Sequence, residues 1–146
     1  MNIRNFKYYS KNIKVYGVDV SNKFHVIKFL KKININEDKE FFDIIIDDGS
    51  HKLKDMLFAL KIFFCHLKTK GFYIIEDYKF PNYFRHLNQP NELTIDQLSK
   101  NILSKKLFKS EILEKEFQEK IFNEINKIYA HKGNLKISNI IFFKKK

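Results

Sequence analysis

"FFDIIIDDGSHKL", residues 41–53, is the stretch on which the fold turns. Three isoleucines run straight into two aspartates, a glycine, a serine and a histidine. A continuous apolar run of this length, bounded by turn residues, reads as a buried strand over 42–47. A second stretch, "GFYIIEDY" at 71–78, repeats the pattern and ends on Glu76 and Asp77. Between them Leu53, Met56, Leu57, Leu60, Phe63, Phe64 and Leu67 recur at three- and four-residue steps. That spacing draws one apolar stripe on a helix over about 51–68. Gly71 breaks it, and a strand over 72–76 follows.

Strand, helix, strand within some thirty residues is a βαβ unit, which requires a parallel pair. Both strands are apolar on successive residues, so both faces of the sheet are expected to be covered. Ligands in such sheets sit beyond the carboxyl ends of the strands. Asp48, Glu76 and Asp77 all fall at those ends. Three unpaired carboxylates together repel and raise one another's pKa. A hard divalent cation such as Mg²⁺ relieves this, and all-oxygen donors suit it. His51, three residues past Asp48, is the candidate general base. The plainer alternative is a turn in which Ser50 or Asp48 caps the helix, with Glu76 and Asp77 paired to surface lysines.

Upstream, "IKVYGVDV" (13–20) reads as another buried strand, ending on Asp19. An acidic residue there can hold ribose hydroxyls. Residues 4–11 read as a helix end or loop, and "FHVIKFL" fits either a helix or a strand. Downstream, 78–94 holds both prolines and reads as an irregular lid. Tyr78 either lines the pocket or packs, and His86 lies in the lid. Helices are expected over 94–104, from Thr94, and over 110–123, capped by Ser110. The C-terminus reads as a hairpin with arms near 125–131 and 136–143, although the first arm also fits a continuing helix. His25, His66 and His131 carry no signal of their own.

The chain has 146 residues, enough for one domain with a real core. It carries 28 basic and 17 acidic residues, a net charge of +11. The lysines are scattered, and only 144–146 form a basic run. A Lys-, Asn-, Ile- and Phe-rich composition accounts for the surplus without a specific nucleic-acid partner. The single cysteine, Cys65, excludes an internal disulfide. No secretory signal and no membrane span is legible, so a cytoplasmic location is expected.

Taken together, "VYGVDVS", "FDIIIDDGSHKLKDMLFALKIFFCHLKTKGFYIIEDY" and "KISNIIFFKKK" resemble class I S-adenosylmethionine-dependent methyltransferases. Within that class they resemble the metal-dependent macrolide-sugar O-methyltransferases and their cephalosporin hydroxylase-like relatives. The resemblance covers roughly 6–80 and the C-terminal strands. It implies a Rossmann-like α/β sheet, mostly parallel with an antiparallel C-terminal hairpin. Asp48, Glu76 and Asp77 match magnesium ligands, His51 matches the base, and Asp19 the ribose-binding acid. Asp47 is assigned to the cofactor beside it. The implied reaction carries a methyl group from S-adenosylmethionine to a hydroxyl of a sugar or glycan precursor. The family's first strand and glycine-rich cofactor loop have no counterpart here, so 1–146 reads as a single partial domain. Two further readings follow from that, an inactive binding module on the same fold and pairing between copies through an exposed sheet edge; the same carboxylates also allow a magnesium-dependent hydrolase, which a phosphate-binding glycine loop, not found in the sequence, would favour.

Overall fold

A computed structural model describes residues 12, 14, 16–35, 39–135 and 137–146. The chain divides into two compact units, Met1–Asn36 and Glu37–Lys146.

In the first unit the described residues center on one helix, α1 (Lys23–Lys32). The Asn22 side chain caps it, accepting from the amides of Phe24 (3.0 Å) and His25 (3.4 Å). Lys31 and Lys32 occupy the last turn, where the helix dipole favours cations. Val26 and Leu30 are its buried residues. This settles "FHVIKFL" as helix. The strand expected over 13–20 is not found. Ile13 and Val15 lie outside the described residues, as does 4–11, and residues 14 and 16–19 belong to no strand. "Gly-Val-Asp" bends instead into the turn that starts α1.

The second unit is a four-stranded sheet with helices on one face. The strands are β1 (Phe42–Asp47), β2 (Leu67–Glu76), β3 (Ile125–Lys132) and β4 (Asn139–Lys145), in the order β1-β2-β4-β3. β1 and β2 are parallel, joined through α2 (Leu53–Phe63) and a short 3-10 turn, Phe64–His66. β4 is antiparallel to both β2 and β3. The C-terminal segment is therefore a hairpin. α5 (Lys115–Glu124) stops where β3 begins, which excludes a continuous helix. α4 (Ile95–Ser104) opens at Thr94 with a capping box closed by Gln97. α5 starts later than expected, because Ser110 folds a turn instead: its hydroxyl accepts from the amides of Ile112 (3.1 Å) and Leu113 (2.8 Å).

The core lies between helices and sheet. Leu53, Leu57 and Leu60 of α2, Leu98 of α4 and Ile121 of α5 pack with Tyr73, Ile75 and Phe143 of the sheet, all essentially fully buried. Tyr78 joins this cluster at 3% exposure, so it packs rather than lining a pocket. On the other side of β1, Ile44 and Ile46 are 57% and 59% exposed. The expectation that both faces are covered fails there.

Two local features lock the sheet. First, β1 advances from Phe42 to Ile44 while β2 advances from Leu67 to Phe72. The extra residues bulge out through Lys70, whose φ of 65° is left-handed. A side chain at Gly71 would meet the carbonyls of Asp43 at 2.7 Å and Lys68 at 2.8 Å. The strand therefore begins at Leu67, with Gly71 inside it and not ahead of it. Second, Lys145 is buried and not part of a solvated tail. Its ammonium donates to Glu40 and to the Leu67 carbonyl, both at 2.9 Å, and lies 3.2 Å from Glu124. Burial alone would lower its pKa, but the two carboxylates outweigh burial and raise it.

Gly71→Ala is expected to destabilise the fold by about 1–3 kcal/mol, because the new methyl meets backbone on two sides. Urea denaturation followed by circular dichroism checks this.

Candidate functional site

The β1–β2 register sets Asp47 beside Ile75, so the chain positions that follow bring Asp48 alongside Glu76. Parallel pairing thus places both residues at one carboxyl edge, with Asp77 next in line. Their side chains do not converge, however. Among the described residues, no three His, Cys, Asp or Glu side chains are grouped so as to hold a metal ion. The compact cluster expected of Asp48, Glu76 and Asp77 is not assembled. Their donor chemistry still suits a hard cation, since all are carboxylate oxygens.

His51 stands near Asp48, with Nε2 3.9 Å from Oδ1. The imidazole side chain is 24% exposed and Asp48 63% exposed, so the base candidate is sheltered and the carboxylate is open to solvent. The Phe80 ring shelters it, with centroids 4.9 Å apart. Phe80 opens α3 (Phe80–Tyr83), the first turn of the segment read as a lid. That segment is more regular than expected: α3 is followed by a 3-10 turn, Arg85–Leu87. His51 and Asp77 both have left-handed backbones, with φ of 56° and 50°. Such conformations are costly for non-glycine residues and gather at functional sites.

Ser50 behaves as a turn residue. Its hydroxyl donates to Asp55 at 2.6 Å and accepts from the Lys52 amide at 3.3 Å. α2 has no side-chain cap.

Asp47 differs from its neighbours. It points to the helix-covered face, where the Gly49 amide is its one favourable contact with a backbone donor. Its Oδ2 is buried without a partner. Burial pushes its pKa up to about 6, against the Gly49 amide and the nearby His51, with Asp48 and Asp55 adding to the rise. The Tyr73 hydroxyl is likewise buried and unpartnered, and burial, then the charge of Asp47, drives its pKa well up. Tyr73 had no sequence signal, because it reads as one more apolar strand residue. A buried oxygen lacking a donor suits a ligand hydroxyl or amine.

Asp19, in the other unit, makes local contacts. The Ser21 hydroxyl (2.6 Å) and amide (3.0 Å) both donate to its Oδ1, and they hold its carboxyl below the usual range. Its Oδ2 lies 4.0 Å from His25 Nδ1. Asp19 lines a cleft of about 410 Å³ with Tyr16, His25, Lys28, Phe29 and Lys32. The remaining histidines are ordinary: His66 is buried with Nδ1 3.1 Å from the Lys39 carbonyl, and His131 packs on Phe142.

Asp47 imposes a pH dependence on stability. The unfolded chain releases this proton near pH 4 and the folded chain near 6. Below about pH 4 both states hold the proton and there is no penalty. Between the two values the unfolded state ionises first, so stability falls as pH rises. Above about pH 6 the loss is complete, at up to about 3 kcal/mol. Asp47→Asn is expected to flatten that decline and to melt higher than the parent at pH 7.5, measured by thermal denaturation across pH 4–8 without ligand.

No protein-family model matches the chain. Two curated proteins do. L-olivosyl-oleandolide 3-O-methyltransferase of Streptomyces antibioticus is 32% identical over 83 residues, 49% of this chain and 21% of its own length. Mycinamicin VI 2''-O-methyltransferase of Micromonospora griseorubida is 32% identical over 87 residues, 51% of this chain and 22% of its own. The chain spans about a fifth of the length of these relatives. Among solved structures, MycE methyltransferase of the mycinamycin biosynthetic pathway, in complex with Mg and SAH, superposes with a TM-score of 0.53. That match has 23% identity and covers 81% of this chain and 28% of the other. No helix among the described residues is long and apolar enough to cross a membrane. The chain is thus similar, over about half its length, to parts of two O-methyltransferases, and shares its α/β fold with MycE methyltransferase.

Proposed function

We propose that this chain takes part in S-adenosylmethionine-dependent, Mg²⁺-assisted O-methylation of a sugar or polyol hydroxyl. The observation that carries the reading is the 32% identity, over half the chain, to two enzymes that methylate sugar hydroxyls. The strand-tip carboxylates support it, because one parallel pair delivers Asp48, Glu76 and Asp77 to a single edge. Asp48, Glu76 and Asp77 would hold the metal. Asp19 and the unpartnered Oδ2 of Asp47 would accept hydrogen bonds from the cofactor.

Bound Mg²⁺ supplies a Lewis acid that lowers the pKa of a hydroxyl. The chain's own residues do the rest. His51 accepts the acceptor's proton at an imidazole nitrogen. Phe80 excludes water from one face of that imidazole, and the constrained backbone at His51 limits where the ring can point. The open carboxylate of Asp48 stabilises the imidazolium as it forms. Bound S-adenosylmethionine would supply the methyl group, its S–CH₃ bond breaking as the O–CH₃ bond forms and the thioether S-adenosylhomocysteine leaving, so the chain's part is to align the two partners. The acceptor is a small sugar or glycan precursor, and the location is cytoplasmic.

A second reading has one observation in its favour. The three carboxylates are not gathered among the described residues, as expected of a methyltransferase-fold chain that binds without methylating.

Titration calorimetry separates the two readings. The enzyme reading expects Mg²⁺ to bind and S-adenosylmethionine to bind more tightly in its presence. Asp48→Asn and Glu76→Gln should each weaken Mg²⁺ by at least about tenfold. His51→Gln should leave metal affinity intact while lowering methyl transfer by about 10²–10⁴-fold. Absence of any metal or cofactor heat would leave the binding-module reading standing.

A further inference from the structure

We propose that the exposed turn closing α4 docks the protein on an anionic membrane surface. The turn is held in shape. Lys105 ends the helix with a left-handed backbone, φ 52°. Its amide donates to the Ile102 carbonyl at 3.2 Å, and the Lys106 amide donates to the Asn101 carbonyl at 2.9 Å. This nested pair of bonds is a Schellman closure, which satisfies the last carbonyls of the helix. Residues 103–107 are all exposed. Among them Leu103 is 64% exposed and Leu107 46%. Four residues of chain span at most about 14 Å, so the two leucines share one small patch. A groove of about 290 Å³ continues from Leu107 past Phe108 and Leu113.

Charge says what covers the patch. Four of the scattered lysines meet here: Lys100, Lys105, Lys106 and Lys109 are exposed and interleave with the leucines along the chain. No ion pair among the described residues engages them. Residues 97–110 hold no acid. The flanking acids are occupied. Asp96 accepts from Asn82 at 3.1 Å, Glu92 accepts from the Ser110 hydroxyl at 2.5 Å, and Glu114 pairs with Lys61. Glu111 is exposed and offsets one lysine. Composition then chooses among polyanions. Single-stranded nucleic acid is gripped by aromatic rings and arginine. Protein interfaces favour aromatic residues and Arg and are poor in Lys. Exposed leucines among lysines suit a bilayer surface instead. The aliphatic groups enter the headgroup boundary, while the long lysine stems keep their ammonium groups at the lipid phosphates.

Each lysine close to an anionic surface strengthens binding about fivefold. Four of them with two leucines give reversible, salt-sensitive attachment. The inference does not rest on the methyltransferase reading, and its test omits metal and cofactor.

Co-sedimentation of the 146-residue chain with lipid vesicles, in EDTA at low salt, tests it. Vesicles of equal parts phosphatidylglycerol and phosphatidylcholine should carry the protein down, and vesicles of phosphatidylcholine alone should not. Leu103→Gln with Leu107→Gln changes two exposed side chains, so this variant should melt like the parent yet bind at least about tenfold more weakly. Lys106→Glu with Lys109→Glu should weaken binding at least about 25-fold. Lys127→Glu with Lys144→Glu makes the same change of net charge on the open face of the sheet, where the Lys144 ammonium lies 5.5 Å from the center of the Phe72 ring. That variant should lose less than about threefold. A chain that ignores both kinds of vesicle overturns the proposal and leaves the patch to an acidic protein. Leucines that can be replaced without loss overturn it too, since a diffuse attraction between polyions would then suffice. So does a Lys127 and Lys144 reversal as costly as that of Lys106 and Lys109.

Discussion

The register between β1 and β2 is the constraint on which the site depends. In a parallel pair a slip of one residue turns every side chain to the opposite face. Here that slip would send Asp47 to solvent and drive Asp48 into the core. The bulge at Lys70–Gly71 absorbs the mismatch between the two strands before their tips are reached. Only a residue without a side chain fits against the Asp43 and Lys68 carbonyls. Lys145 then clamps the same region from the far end of the chain, tying Glu40, Leu67 and Glu124 together. The geometry of the acidic edge is therefore set at the opposite end of the strands from the chemistry.

Beyond that edge the chain holds several groups in costly states. Asp47 is desolvated and lacks a partner for one oxygen, and Tyr73 beneath it is in the same condition. His51 and Asp77 hold left-handed backbones that β- or α-region geometry would spare them. Each costs on the order of 1–3 kcal/mol. Costs concentrated at the end of a parallel pair are consistent with the proposed ligand site there.

The parts of this architecture that were legible in sequence are those governed by hydrophobic period. β1 was read at its observed bounds, and the stripe from Leu53 to Leu67 located α2, although the helix ends at Phe63 and Leu67 already begins β2. The acidic tips followed from where those runs end. Features set by tertiary contact were not legible. Lys145 looks like any terminal lysine until Glu40 and Glu124 close around it. Ser110 has the composition of a helix cap, but its hydroxyl donates to Glu92 at 2.5 Å, within the turn that precedes α5. The start of β2 was hidden because the bulge puts Lys68, Thr69 and Lys70 inside a strand. The 13–20 segment has strand composition, yet Asp19 and Asn22 spend their side chains on turn and cap. The open face was missed because a run of isoleucines reports apolarity, not what lies against it.

The charge distribution bears on how a +11 chain could take the proposed cation. A few lysines are locally paired: Lys68 with Asp43 at 3.0 Å, Lys61 with Glu114, and Lys145 with two glutamates. The rest is dispersed. At physiological ionic strength, charges more than about 8 Å away are largely screened. A cation approaching the strand tips would therefore meet Asp48, Glu76 and Asp77 before it met the average field of the protein. Local carboxylates decide what binds there, while the diffuse positive field acts mainly on large anions that span many side chains.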